Sequence, residues 1–380
     1  MSKFAKLSDK NFIFRLFFNH MTEQIKQGNQ NLETLAVKAN LSNIEREYFE
    51  KLKAELKQLL GGKTLEDIEK TQDLVLARKV SKKMSQILEF LKTKEVETKG
   101  LIIKDAKNPF AEAFKDGGVD APETIDYELD FEELADMNAA VYENRGLLSW
   151  AEEVKRAKEK LGKMSLEKLE IIKQEIKEGA IPIIMPGKRV MLETTLDEIK
   201  KLTPRYKSEG AEIAEANESL LEWEYLKGLI ESGNELLVSD IPDEPYILLT
   251  KPTQKSELRN KSVDEQKIAI TELNENRTEE NKMYAMNLHE YAAMQTVFAE
   301  EMIERSEDED AELSKLNPLD FGFATWTRFV SLPAYTAPGS SSVLVPFGDW
   351  DRLAGQLIFG VGNVYASDGA GVRLSVRVEF

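Results

Sequence analysis

"VPFGDWDRLAGQLIFGVGNVYASDGAGVRLSVRVEF", Val345 to Phe380, closes a chain of 380 residues and contains no lysine, although the preceding sequence is crowded with it. Apolar and polar residues alternate over short reaches in "SSVLVPF", "GQLIFGV" and "GVRLSVRVEF", which is the period of a β-strand. In the last of these, Val372, Leu374, Val376 and Val378 share one side and Arg373, Ser375, Arg377 and Glu379 the other, predicting a half-buried strand. Between the strand candidates lie "AYTAPGSSS", "GDWDR" and "NVYASDGAG". They mix Tyr, Trp, Arg and Asp with Gly, Ser and Asn, residue types that serve adaptable binding loops. The change of composition places a domain boundary near Asn317.

Upstream the signals are helical. A capping box at Ser42-Asn43-Ile44-Glu45 precedes Phe49, Leu52, Leu56, Leu59 and Leu60 at helical spacing, and Gly61-Gly62 stops the run. Thr64 opens a second helix with Val80, Met84, Ile87, Leu88 and Leu91 on its apolar face, so an antiparallel helical hairpin is expected. Further boxes stand at Ser149-Trp150-Ala151-Glu152, Thr195-Leu196-Asp197-Glu198 and Ser262-Val263-Asp264-Glu265. "AIPIIMPGKRVML", Ala180 to Leu192, reads as a β-hairpin turning at Pro186-Gly187, and "EPYILLTKP", Glu244 to Pro252, as an edge strand beside it. The expected organisation is a helical hairpin domain over 1–100, a linker with short helices over 101–138, a helical region with a small hairpin over 139–316, and a β-rich module over 317–380. The fold class is therefore α+β.

Composition excludes several functions. A formal charge of −17 disfavours nucleic acid as a partner, because affinity there comes from Lys and Arg neutralising phosphates. With no cysteine there are no disulfides, thiolate metal sites or Cys nucleophiles, and two histidines, His20 and His289, rule out a His-rich metal site. The Phe12–Phe18 patch, "FIFRLFF", is interrupted by Arg15 and lacks the form of a signal peptide, and no run reaches the roughly 18 apolar residues a bilayer span needs. Residence in the cytoplasm or in a particle assembled there is the expectation. The N-terminal helices offer a surface for homo-oligomers.

Short motifs add little chemistry. His289-Glu290 in "LHEYAAM" has Ala293 where a zinc-binding helix would place its second histidine, so His289 reads as a partly exposed helix residue. "PGKRV" lacks the remaining residues of a phosphate loop, and "SEDEDAE" lacks the oxygen spacing and central glycine of a calcium loop. Carboxylates are too numerous, at 68 acidic residues, for a catalytic pair to be singled out. No cofactor is indicated.

The order "GDWDR…AG…SDGAGVRLSVRV" resembles the C-terminal end of C-type-lectin-fold proteins of the formylglycine-generating-enzyme type. More narrowly, it resembles the variable-region proteins diversified by retroelements in phages, bacteria and archaea. Gly348-Asp349-Trp350 and Gly371-Val372-Arg373 are the matching anchors. The resemblance implies a ligand-display module and no oxidase activity, since the catalytic cysteines are absent. It implies variation at Asp349, Asp351, Arg352, Tyr365, Ser367 and Asp368, and a sheet completed by "AIPIIMPGKRVML" and "EPYILLTKP". The expected function is non-enzymatic recognition of a protein or carbohydrate ligand through Tyr335, Asp349, Trp350, Asp351, Arg352, Tyr365, Ser367 and Asp368, with no metal. The alternative is a viral or cellular assembly protein in which the tail, with Trp326, Phe329, Trp350 and Phe359 as core, is an oligomer contact.

Overall fold

A computed structural model of the protein describes residues 36, 41, 43–63, 74–92, 95–97, 100–111, 122–202, 220–221, 224–253, 256–305, 326–332, 334–336, 341–351 and 356–380. In chain order the first elements are α1 (Asn43–Leu60), α2 (Leu74–Lys92), β1 (Glu95–Glu97), β2 (Leu101–Lys107), β3 (Thr124–Leu129), α3 (Phe131–Asn144) and α4 (Leu148–Leu161). There follow β4 (Lys163–Ser165), α5 (Leu166–Lys177), β5 (Ile181–Met185), α6 (Lys188–Glu193), α7 (Leu196–Lys201), β6 (Leu220–Leu221), α8 (Glu224–Glu231), β7 (Tyr246–Thr250), α9 (Val263–Asn274), β8 (Met283–Ala285) and α10 (Leu288–Arg305). The tail supplies β9 (Trp326–Arg328), β10 (Tyr335–Thr336), β11 (Val343–Asp351), β12 (Gln356–Asn363), β13 (Ala370–Gly371) and β14 (Leu374–Glu379). The class is α+β. The Phe12–Phe18 patch, His20, Ser42, the acidic run at 306–312 and Arg352 lie outside the described residues.

Contacts group the chain into two units. One comprises Met1–Thr98 with Lys163–Leu169, the other Lys99–Gly162 with Glu170–Phe380. In the first, α1 and α2 form an antiparallel hairpin: Tyr48 meets Phe90 edge-on at 5.1 Å, and seven residues further along α1 Glu55 takes Lys83 at 2.6 Å, seven residues back along α2. Phe49, Leu52, Leu56, Val80, Met84, Ile87 and Leu91 are buried, the face that the helical period marks. β1 pairs antiparallel with β4.

The second unit is organised by α10. From Leu288 to Ala299 this helix is buried on every side, including His289, Glu290, Gln295 and Thr296. Such a helix is a core element with no solvent face. Tyr291 lies 5.6 Å from Phe329 and 6.3 Å from Phe359 of one sheet, whose order is β13-β9-β11-β12-β6 with β10 also on β11. Glu290 accepts from Tyr246 of a second, antiparallel sheet of order β5-β7-β14-β8. Phe298 stacks on Phe110 at 5.2 Å. The outer edge of β5 is closed by α3: Asn138 accepts from the Ile184 amide at 2.7 Å and Tyr142 donates to the Ile184 carbonyl at 3.0 Å. Side chains there take the groups that a bare sheet edge would expose.

Several expectations are corrected. The hairpin at Pro186-Gly187 does not form. After β5 the chain enters α6, because Gly187 runs against the 242–244 segment so closely that a Cβ would lie 2.2 Å from the Asp243 carbonyl, and Lys188 donates to Pro242. The antiparallel partner of β5 is β7, which is internal and buried at all five positions, where an edge strand was expected. The 101–138 stretch, read as a linker, carries the paired strands β2 and β3 and the start of α3. The Ser149 box is unused: α4 begins at Leu148 after the buried Leu147, with no side-chain cap. β14 is buried on both faces from Ser375 to Val378, with β7 and β8 pairing along its edges and Arg377 turned onto Glu290 of α10; Arg373, just before it, is buried as well. His289 is 1% exposed, contrary to the expected partly exposed position. The capping boxes at Thr195 and Ser262 form as read.

Candidate functional site

"GDWDR" was expected between strands, yet Asp349, Trp350 and Asp351 belong to β11 and pair with Ile358, Leu357 and Gln356 of β12. Tyr335 is on β10, opposite Leu344 at the other end of β11. Leu344 also faces Asn363, the last residue of β12, beyond which the chain turns through Tyr365, Ser367 and Asp368. Five to seven strand steps of about 3.3 Å separate Leu344 from Asp349–Asp351, so the expected residues divide into two groups about 17–23 Å apart along one ribbon. Tyr335, Tyr365, Ser367 and Asp368 are at one end. Asp349, Trp350 and Asp351 are at the other, Asp349 half-buried on the strand and itself engaged in an interaction.

The loop Asn363–Ala370, between β12 and β13, is the better defined group. Its carbonyls are taken one after another. Arg328 donates through Nη2 to Asn363 at 3.0 Å and to Tyr365 at 2.6 Å, and the amide of Val263 donates to Val364 at 2.9 Å. The amide of Asn260 reaches Ser367 at 3.0 Å, Arg259 reaches Asp368 at 3.2 Å, the amide of Trp326 reaches Gly369 at 2.6 Å and Gln266 reaches Ala370 at 3.2 Å. These donors belong to β9 or to residues 259–266, which run into α9; within the loop the Ala370 amide also reaches the Ser367 carbonyl at 3.3 Å, and the Tyr365 amide reaches the Asn363 side chain at 3.2 Å. Val364 and Ala370 anchor the ends: Val364 packs on the cluster of Val263, Val330, Val345 and Val372, and Ala370 is fully buried.

The segment opposite is itself specialised. Leu258 and Asn260 adopt φ of 52° and 61°, the left-handed region that costs a leucine on the order of 1 kcal/mol or more. Glu257 exchanges both main-chain hydrogen bonds with Val372, at 2.7 and 2.8 Å, directly beneath the loop. That approach explains Gly371, whose Cβ would lie 2.2 Å from the Glu257 carbonyl, and Gly348 is constrained likewise, 2.3 Å from Tyr291. Arg373 is buried and donates to the Thr253 carbonyl at 2.9 Å.

With the backbone held, the side chains face outward. Tyr365 is 66% exposed, Ala366 and Asp368 are exposed, and Ser367 is half-buried with its hydroxyl turned toward the Gly369 amide at 3.4 Å. Nearby, half-buried Trp326 and Phe347 stack at 4.9 Å. An aromatic ring, a carboxylate and small neighbours on a fixed frame can bind by contact and hydrogen bonding. Sequence reading did not single out Arg328, Arg259, Asn260 or Gln266. The available signal for Arg328 was a lone charge within the β-alternating "TWTRFV".

A buried concentration of ionisable groups lies at the core helix, and a second joins Glu175, Glu178, Lys251 and Arg277 by ion pairs. Arg377 and Tyr246 both donate to the Glu290 carboxylate in the core, and burial holds the Tyr246 hydroxyl well above its ordinary pKa, hence protonated. Among the described residues no helix is long and apolar enough to cross a membrane, and no three His, Asp or Glu side chains gather as metal ligands. Comparison with known family models, curated proteins and solved structures finds no match to this chain.

Proposed function

We propose that this chain is a non-enzymatic binding protein that presents the Asn363–Ala370 loop, with Tyr365 and Asp368 foremost, to a protein or carbohydrate ligand. One observation carries the reading: the loop's main-chain carbonyls are held chiefly from outside, with Asn363 and Ser367 each accepting one amide within the loop, while the side chains of Tyr365 and Asp368 take no part in holding it among the described residues. Side chains decoupled from the fold in this way can change without altering the frame. That is what a lectin-like variable module of the retroelement-diversified kind requires, and it agrees with the resemblance carried by Gly348-Asp349-Trp350 and Gly371-Val372-Arg373. The assembly reading has less to work with, since β14 is internal and most of it cannot meet a second subunit.

Closely related copies of the gene provide the test. Differences concentrated at Tyr365, Ser367 and Asp368, and at Asp351 and Arg352 at the far end of the ribbon, with Gly371 and Arg373 constant, are the expected result. Differences scattered along the helices, with the loop constant, would overturn the reading in favour of an assembly role.

A further inference from the structure

Arg328 is 1% exposed, and every partner it has among the described residues is a main-chain carbonyl: Lys261 at 3.0 Å, Asn363 at 3.0 Å and Tyr365 at 2.6 Å. Its Nε is buried without a partner. Buried guanidinium groups ordinarily face a carboxylate, as Arg377 faces Glu290 in this same protein. Here three carbonyl dipoles stand in for the acid. Burial holds the Arg328 pKa below its ordinary value, in keeping with a cation that has no countercharge beside it among the described residues.

Such an arrangement stabilises the fold poorly, so its effect lies in the backbone it gathers. Lys261 belongs to the segment before α9, Asn363 and Tyr365 to the loop, and the guanidinium ties the two together across the Val263-to-Val364 hydrogen bond. The remaining side-chain donors, Arg259 and Gln266, each reach one loop carbonyl, whereas Arg328 reaches two. A lysine could not replace it, since one ammonium on a flexible stem lacks the planar fork of donors. We propose that Arg328 is the positioning residue of the recognition loop, an internal cation around which, together with the Asn363 side chain that accepts from the Tyr365 amide at 3.2 Å, the Asn363–Tyr365 turn is folded independently of the Tyr365 and Asp368 side chains. Its importance to binding rests on the reading above. The ordering itself does not, and can be measured without a ligand.

The experiment is residue-resolved amide hydrogen exchange on the full chain and its Arg328→Ala variant, followed at Asn260, Val263 and Ala370, with the β14 amides as internal reference. The expected result is exchange at least tenfold faster at Val263 and faster at its two companions, with β14 within twofold of the parent. Millimolar guanidinium chloride should restore protection in Arg328→Ala, where sodium chloride at the same concentration does not, and Arg328→Lys should recover it only in part. Unchanged exchange at Val263, loosening that extends equally to β14, or indifference to guanidinium would overturn the proposal. Should Arg328→Ala fail to fold, Arg328→Met retains the apolar stem. Loop-limited loosening in that variant supports the proposal, and global unfolding of both overturns it.

Discussion

The guanidinium of Arg377 on β14 holds both oxygens of Glu290 on α10, Nε to Oε1 at 2.7 Å and Nη2 to Oε2 at 2.9 Å, with the two side chains 4% and 0% exposed. Tyr246 donates to the same carboxylate at 2.8 Å, the Asn287 amide at 3.0 Å, and Arg377 also donates to the Asp240 carbonyl. The pair thereby fastens the last strand of the chain to its central helix. Removing one partner leaves the other charge buried and unpaired, so Arg377→Met should cost about 3–5 kcal/mol in urea unfolding. The double variant Arg377→Met with Glu290→Leu orphans no charge and should cost less than that single change. Additive losses would show that the two side chains act independently.

Substitutions of two glycines by alanine should have opposite signs. At Gly371 a Cβ would collide with main chain, 2.2 Å from the Glu257 carbonyl, and Gly371→Ala should destabilise by about 2 kcal/mol or more as the Glu257–Val372 bridge is forced apart. Gly228 is an exposed position within α8 with no atom within 4 Å of a built Cβ. There Gly228→Ala should stabilise by about 0.5–1 kcal/mol through helix propensity and a less flexible unfolded chain. Thermal unfolding of both variants decides the matter, and a loss at Gly228 would contradict the packing described.

Tyr365→Ala and Asp368→Ala should each leave stability within about 0.5 kcal/mol of the parent, because neither side chain holds the loop. A loss above 1 kcal/mol in urea unfolding would mark the loop as structural and remove the support for a recognition role.

What the sequence made legible was local. The boxes at Thr195 and Ser262 need only residues three apart, and the α1–α2 hairpin needs only the 3.6-residue period and a Gly-Gly stop. The strands of the tail were readable from their alternation. Their surroundings were not, because alternation cannot distinguish a polar face in water from one turned on a buried partner, and the partner of Arg377 lies 87 residues away. The same limit applies to Pro186-Gly187, where turn chemistry suggested a hairpin and contact with the distant 242–244 segment produced a helix. In the site, exposed Tyr365 and Asp368 announced themselves by type. Arg328, which takes the Tyr365 carbonyl, did not, since its role is visible only when Lys261 and Tyr365 are brought to the same guanidinium.

His289 should give the protein an acid sensitivity that a surface histidine would not. Burial lowers its pKa from 6.5 to about 4, against the opposing charge of Glu290. In the folded protein the imidazole therefore stays neutral until about pH 4, whereas in the unfolded chain it takes a proton near 6.5. Between those values the unfolded state binds the extra proton. Stability is accordingly full above about pH 6.5 and falls as the pH drops toward 4, by roughly 3 kcal/mol in all. His289→Gln removes that titration. Unfolding free energies measured at pH 7 and pH 4.5 should then differ less in the variant than in the parent, by about 2–3 kcal/mol. Parallel pH dependences would mean that the imidazole is already reached by water in the folded state, contrary to its enclosure beside Trp150 on the core helix.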